Sequence, residues 1–284
     1  EELDRVVRDV DIYARVAPEH KMRLVQRLKH QREIVAVTGD GVNDAPALRA
    51  AHLGVAMGET GTDVAREASD MVLADDNFAT IAAAVEEGRV VFGNIRKVTF
   101  FLVSTGVGEA LTILVALVLG WPLPFVAAQI LWINLVTNGL QDVALAVEPG
   151  EPGLLRRPPR SQDEGVVTLH VVERLALVGV LLTAGTLGAF WWTLDATGNI
   201  DHARSVAITQ MVVFQFFHAF NSRSLDRSIF QIPPFSNPFL FGGVLLAFLA
   251  HLAVLYLPAL QSVFRTTAID LPEWGAIFLV GTTI

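Results

Sequence analysis

Hydrophobic positions follow one pattern up to about residue 77 and a different pattern beyond it. In the first part, short apolar runs of strand length alternate with segments of helical period. Strands that alternate with helices are typical of a parallel sheet covered on both faces. The predicted elements are, in order, helix Pro18–Gln31, strand Ile34–Thr38, helix Ala45–Ala51, strand Leu53–Ala56, helix Thr62–Ala68 and strand Met71–Leu73.

From residue 78 onward the pattern becomes helical and then continuously apolar. Phe78–Lys97 is mixed in polarity, and no strong breaker separates it from the apolar run that follows, which predicts a stalk helix entering a membrane. Most of the later apolar runs have lengths near the roughly 20 residues that a bilayer requires. Predicted spans are 98–119, 125–147, 171–194, 205–220, 239–257 and 274–284, the last one cut off. The fourth span is short and polar, so its neighbours must shield it. The predicted domains are therefore 1–77, 78–97 and 98–284.

Composition and charge support this division. The chain is 52% hydrophobic with a mean hydropathy of +0.47, which is high for a soluble domain. The net charge of −8 gives no indication of nucleic-acid binding, and the lack of cysteine excludes disulfides and thiolate metal sites. The chain starts without methionine in what looks like mid-domain, so we expect a C-terminal fragment of a longer protein.

Basic residues predict the orientation of the spans. Most of them lie in alternate loops, and the opposite loops hold only Arg204 and Arg265. The basic set is Arg96, Lys97, Arg156, Arg157, Arg160, Arg223 and Arg227. The positive-inside rule places these loops, and with them residues 1–97, in the cytoplasm. We expect a multi-pass protein of the plasma membrane.

The segment Thr38–Pro46 carries the densest chemistry of the soluble part. Asp40, Asn43 and Asp44 lie on a glycine-rich turn between a predicted strand and a predicted helix. In open α/β sheets, ligands bind at the carboxyl ends of the strands. Clustered carboxylates favour a cation or a phosphate–cation pair. The alternative is that these residues are simply turn formers.

This segment resembles the hinge motif of P-type cation-transporting ATPases. The resemblance continues in the order typical of that family. It includes His20-Lys21, the run from Ala56-Met57-Gly58 to Asp70–Phe78, Trp132–Gly139 and Arg157–Arg160. The type II branch, with the calcium pumps and the sodium/potassium pumps, is the most similar. The fold that this implies is α/β followed by all-α membrane: a partial Rossmann-like, haloacid-dehalogenase-type phosphorylation domain and a transmembrane helix bundle.

The resemblance implies roles for the residues of the turn. The family forms an aspartyl-phosphate on a D-K-T-G motif, which is absent here together with the nucleotide domain that binds ATP. Asp40 matches the Mg²⁺ ligand, and Asn43 and Asp44 match residues that order the motif around metal and phosphate. Lys21 matches the lysine that offsets the phosphate charge, and Thr38 and Gly39 shape the turn. The turn from Gly58 to Asp63 is a weak phosphate-loop signal to which we assign no catalysis.

Polar residues within the predicted spans point to an ion site. Glu109 lies in the first span, and Asn134, Asn138 and Asp142 follow at i, i+4 and i+8 in the second, flanked by Gln141. On an α-helix these three form one stripe, and Gln215 of the fourth span adds another oxygen ligand. Ionisable residues in spans are functional by default, and oxygen ligands suit Ca²⁺ or Na⁺. The alternative, interhelical hydrogen bonding, is favoured for Gln210, His218 and His251.

Three positions depart from the pattern of the two-site calcium pumps. Gly106, Asn138 and Gln215 stand where those pumps have carboxamide or carboxylate ligands. The two remaining acids, Glu109 and Asp142, balance one divalent ion. We therefore expect ATP-driven export of one Ca²⁺ per cycle, with a Na⁺ pump as the runner-up.

Two alternatives come from other classes of protein. A membrane-anchored haloacid-dehalogenase-type phosphatase would not require Glu109 and Asp142 in mid-membrane. A non-catalytic half-pump would be excluded by an in-frame D-K-T-G upstream.

Overall fold

The structure, a computed structural model, describes residues 2–161 and 164–284, which form two compact units. One unit runs to Gly88 and takes in the segment from Leu155 to Glu164, and the other comprises Arg89–Leu154 and Gly165–Ile284. The first unit is built around a small sheet and the second is helical.

The first unit contains a three-stranded parallel sheet in the order β1–β2–β3, as the alternating pattern predicts. The strands are β1 (Ala36–Gly39), β2 (Leu53–Met57) and β3 (Met71–Leu73). The helices are α1 (Glu2–Asp9), which the pattern did not predict, α2 (Pro18–His30), α3 (Ala45–Ala50) and α4 (Asp63–Ala68). Leu48, Ala56 and Ala65 form a buried core where α3 and α4 cover the sheet.

The first predicted strand begins two residues too early. Ile34 is 64% exposed, and the backbone N–H of Val35 donates to the imidazole of His52 at 3.1 Å. These two residues therefore lie before the ladder, which begins where Ala36 pairs with Leu53.

The second unit is a bundle whose first helix continues from the first unit. The helix α5 (Phe78–Val118) has 41 residues, so it is about 60 Å long and merges the predicted stalk with the first span. The other helices are α6 (Ala127–Trp132), α7 (Gly139–Ala146), α8 (Leu169–Thr197), α9 (Ile200–Asn221), α10 (Pro238–Tyr256), α11 (Pro258–Phe264) and α12 (Leu271–Gly281). Among the described residues, α5, α8 and α10 are long and apolar enough to cross a membrane, and α12 is a shorter apolar helix.

The second predicted span is not one α-helix. A π-helical segment, Ile133–Asn138, lies between α6 and α7. The regular α-helical stripe predicted for Asn134, Asn138 and Asp142 is therefore wrong in detail, because a π turn holds more residues than an α turn. Single π turns inside α-helices are frequent at functional sites.

The fourth predicted span is longer than the sequence pattern indicates. Helix α9 begins at Ile200 because the side chain of Asn199 accepts hydrogen bonds from the backbone N–H groups of Asp201 and His202. Most of α9 is buried, so its neighbours do shield it. At Gly185 of α8, a Cβ would come within 2.4 Å of the Phe214 ring, so glycine permits this close approach.

Candidate functional site

The turn after β1 separates an exposed carboxylate from a buried one. Asp40 and Asn43 are exposed, whereas Asp44, at the end of a short 3₁₀ turn, is only 8% exposed. The backbone N–H of Thr62 donates to the carbonyl of Asp40 at 2.8 Å and fixes the next loop beside this turn. The Asp40 carboxylate takes part in none of the hydrogen bonds of the described residues, so it is available to a cation.

Lys21 reaches this turn from α2 and pairs with Asp44. Its Nζ lies 2.6 Å from Asp44 Oδ1, and the other carboxylate oxygen accepts the N–H of Gly41 at 3.3 Å. Burial raises the pKa of Asp44, but the bonds from Lys21 and Gly41 outweigh it and leave the pKa below its usual value. Asp44 is therefore ionised and internally neutralised, which leaves Asp40 as the carboxylate suited to Mg²⁺.

Gly39 is required where β1 passes Asp44. A Cβ at Gly39 would lie 2.5 Å from the Cβ of Asp44, closer than real side chains approach. We expect Gly39→Ala to destabilise the first unit by about 1–3 kcal/mol, as overpacking does elsewhere, and to displace Asp44 from Lys21. Pulse proteolysis of the chain in urea measures this loss.

Gly41→Ala is the matched control for that substitution. At Gly41 the nearest atom to a new Cβ is 3.7 Å away, an ordinary contact. Equal destabilisation by the two alanine variants would contradict the role assigned to Gly39.

The turn after β2 is occupied by an internal carboxylate. Asp76, which has a positive φ of 47°, accepts the N–H groups of Gly58, Glu59 and Thr60 at 2.6, 3.1 and 2.8 Å. The Thr60 hydroxyl and these N–H groups lower the pKa of Asp76 to about 2. Thr62 caps α4 through a 3.3 Å bond from the N–H of Ala65. These contacts give the turn a structural role, in agreement with the sequence analysis, which assigned it no catalysis.

Four of the five predicted cation ligands lie together in the helical unit. The buried Glu109 of α5 accepts the amide of Asn134 at 3.0 Å and that of Gln215, on α9, at 3.2 Å. The amide of Asn138 donates to Asn134 Oδ1 at 3.3 Å. We call Glu109, Asn134, Asn138 and Gln215 the Glu109 cluster.

Asp142 is not bonded to the Glu109 cluster. It lies four residues beyond Asn138 on α7, and in the described part of the chain no hydrogen bond joins its carboxylate to the cluster. One of its oxygens, Oδ1, is buried and has no partner among these residues. The neighbouring Gln141, which the sequence singled out only as a flanking residue, is fully buried, and neither its Oε1 nor its Nε2 has a partner there.

The two buried histidines have packing partners. His251 accepts a hydrogen bond from Trp132 Nε1 at 3.3 Å and lies 3.0 Å from the hydroxyl of Thr209. His218 bonds the hydroxyl of Ser104 at 2.6 Å and stacks on Phe101 with the ring centroids 5.5 Å apart. Both sets of contacts agree with the structural role favoured from the sequence.

A buried ionic network lies beyond α7, and sequence reasoning missed it. Glu148 and Arg223 are 4% and 2% exposed, and Arg223 Nε lies 2.9 Å from Glu148 Oε1. The second oxygen of Glu148 accepts the amide of Asn237 at 2.6 Å, and the remaining guanidinium nitrogens bond Pro233, Pro234 and Ser236. Arg223, which the sequence pattern assigned to a basic loop, is therefore a buried ion-pair partner. We call Glu148, Arg223 and Asn237 the Glu148 network.

The Glu148 network also binds α5. The side-chain amide of Asn94 donates to the carbonyls of Ala146 and Glu148 at 3.1 and 2.8 Å, and its oxygen accepts Lys97 Nζ at 3.1 Å. The end of the interrupted helix that carries Asn134 and Asn138 is thus fixed to the helix that carries Glu109. No local sequence signal predicts the two bonds that Asn94 donates, since they join residues 52 and 54 positions apart along the chain.

Comparison with known proteins finds one family match in each part of the chain. Residues 122–284 match the family described as "Cation transporting ATPase, C-terminus", and residues 3–52 match "haloacid dehalogenase-like hydrolase". The chain is 48% identical over 273 residues to "Probable cation-transporting ATPase F" of Mycobacterium tuberculosis. The aligned residues make up 96% of this chain and 30% of that relative.

Two further relatives are named as calcium-transporting ATPases. The identity is 46% over 275 residues with "Calcium-transporting ATPase" of Bacillus subtilis (96% of this chain, 31% of the relative). The identity is 38% over 283 residues with "Calcium-transporting ATPase type 2C member 1" of Homo sapiens (100% of this chain, 31% of the relative). The chain thus spans about 30% of the length of the curated relatives it matches. With more than half of its residues matched by the family, this multi-pass membrane chain belongs to the cation-transporting ATPases.

Proposed function

We propose that the full-length protein hydrolyses ATP through an aspartyl-phosphate intermediate and thereby moves a cation across the membrane, with Ca²⁺ as the first candidate. Two of the relatives named above are calcium-transporting ATPases, which supports this choice. Na⁺ is the second candidate, because carboxamide oxygens predominate among the proposed ligands.

The Glu109 cluster is the observation that carries the proposal. A carboxylate buried in a helical unit is costly unless it has a cationic partner, and Asn134 and Gln215 hold both its oxygens in place. When the carboxamides of Asn134, Asn138 and Gln215 reorient, they present oxygen ligands to a hard cation. A membrane anchor for a phosphatase would have no use for such a cluster.

The turn after β1 supports the phosphoryl-transfer half of the proposal. Mg²⁺ bound there would neutralise charge on the phosphoryl oxygens during transfer. Asp40 would hold the metal with its exposed carboxylate, and Lys21 would offset phosphate charge while paired with Asp44. Asn43 would contact the phosphate from the same turn, and Thr38 and Gly39 would set its shape.

The remaining parts of the proposal concern topology and stoichiometry. We place residues 1–97 in the cytoplasm and the helical unit in the plasma membrane. Transport of one Ca²⁺ per cycle is supported by Glu109 and Asp142, whose two charges balance one divalent ion.

Cation-dependent phosphorylation of the full-length protein tests this function. With ATP and Mg²⁺, phosphoenzyme should form in the presence of Ca²⁺. Glu109→Gln should raise the Ca²⁺ concentration for half-maximal phosphorylation at least about tenfold, which corresponds to a loss of about 1.4 kcal/mol of binding free energy. The separate nucleotide site should keep its ATP affinity in that variant.

Three results would each contradict a part of the proposal. Phosphorylation that responds to no cation would exclude a pump, and activation by Na⁺ alone would replace Ca²⁺ with the second candidate. Unchanged cation dependence in Glu109→Gln would place Glu109 outside the ion site.

A further inference from the structure

Three neighbouring side chains at the start of α7 carry buried oxygens without partners. Asn138 and Gln141 are 2% and 0% exposed, and the unpartnered atoms are Asn138 Oδ1, Gln141 Oε1 and Nε2, and Asp142 Oδ1. Asn138 is the last residue of the π segment, and Gln141 and Asp142 follow it in the first turn of α7. Buried polar groups are nearly always bonded, so three such residues together require an explanation.

Their spacing places them on one helix face. Residues at i, i+3 and i+4 are neighbours on a helix, with Cβ atoms about 5–6 Å apart. The amide of Asn138 is oriented by its Nδ2 bond to Asn134, which uses the donor and leaves the acceptor Oδ1 available. The residues thus offer one carboxylate and two carboxamide oxygens at adjacent positions.

We propose that Asn138, Gln141 and Asp142 form a second subsite for the transported cation, an inference that rests on the proposed function. A carboxylate with two carboxamide oxygens is a ligand set for a hard cation, completed by water. A water ligand of that cation would also accept the N–H group of Gln141. Asn138 belongs to both sites, because its nitrogen bonds the Glu109 cluster and its oxygen serves the second subsite.

The charges favour successive occupation by one ion. Glu109 supplies one negative charge to the first site and Asp142 supplies one to the second. One divalent ion that moves between them is neutralised by the pair, whereas two divalent ions would leave two positive charges in a medium of low dielectric. The subsite is therefore a position on the route of the same cation and does not add a second ion to the cycle.

Gln141→Leu in the full-length protein tests the subsite, with Ca²⁺ as the probe. The variant should raise the Ca²⁺ concentration for half-maximal phosphorylation about tenfold, and Ca²⁺ should raise its thermal midpoint less than that of the wild type. Without Ca²⁺, Gln141→Leu should be as stable as the wild type or more so, because leucine removes an unpartnered buried amide.

Gln210→Leu is the matched control. Gln210 is also a fully buried glutamine with an unpartnered Oε1, but it lies on α9 and its amide bonds Ile277 of α12. Its substitution should change the Ca²⁺ dependence less than twofold. The subsite is overturned if Gln141→Leu stays within twofold of the wild type, or if both leucine variants shift equally. If Ca²⁺ does not promote phosphorylation of the wild-type protein, the proposed function is overturned instead.

Discussion

Replacement of Asp40 by alanine in the full-length protein is expected to reduce phosphoenzyme formation from ATP at least about 100-fold. Loss of a residue in the outer shell of a metal site already costs up to about that factor in affinity or activity, and Asp40 is proposed as a direct ligand. The side chain of the exposed Asp40 makes no hydrogen bond in the described part of the chain, and alanine keeps the backbone bond from Thr62, so folding should be largely unaffected. Phosphorylation by radioactive ATP at saturating Mg²⁺ measures the effect.

Asp63→Ala is the control for Asp40→Ala. The Asp63 side chain is 90% exposed and lies in the same unit, where it pairs with Arg66. Near-wild-type phosphorylation of Asp40→Ala, or an equal loss in Asp63→Ala, would remove Asp40 from the proposed Mg²⁺ site.

The second large effect is expected at the Glu148 network. Glu148→Gln should lower the free energy of unfolding of the helical unit by about 3–5 kcal/mol, because it leaves the charge of Arg223 buried and unpaired. All five tryptophans lie in the helical unit, so their fluorescence reports its denaturation in detergent.

A double variant separates the ion pair from general packing. If the loss comes from the unpaired charge, Glu148→Met combined with Arg223→Met should be less damaging than either single methionine substitution. Glu151→Gln, in the same loop but only partly buried, should cost less than Glu148→Gln. Additive losses in the two methionine variants would show that the pair contributes little as a pair.

The parallel sheet and the locations of the three long apolar helices α5, α8 and α10 could be predicted from the sequence. Strand and helix periods and long apolar runs are local signals, so the order of elements in the first unit and the span at α5 followed directly from them. The turn from Thr38 to Pro46 was identified by its residue types, and Glu109 was conspicuous as an acid within an apolar run.

Only the tertiary structure decided which side chains meet. Lys21 and Asp44 are 23 residues apart, Glu109 and Gln215 are 106 apart, and Glu148 and Arg223 are 75 apart. Such contacts depend on which faces of distant helices and loops pack together, and a pattern along the chain does not contain that information.

The interrupted second span shows the same division. Its residues are apolar enough to predict a span, but no periodicity of the sequence predicts the π segment at Ile133–Asn138. The sequence by itself therefore determined the class of most elements, though not of α1 or the π segment, and the chemistry that they carry. The packing decided which side-chain oxygens come together in one site. Such a site is built from several helices at once, whereas the hydrophobic periodicity of the sequence describes one helix or strand at a time.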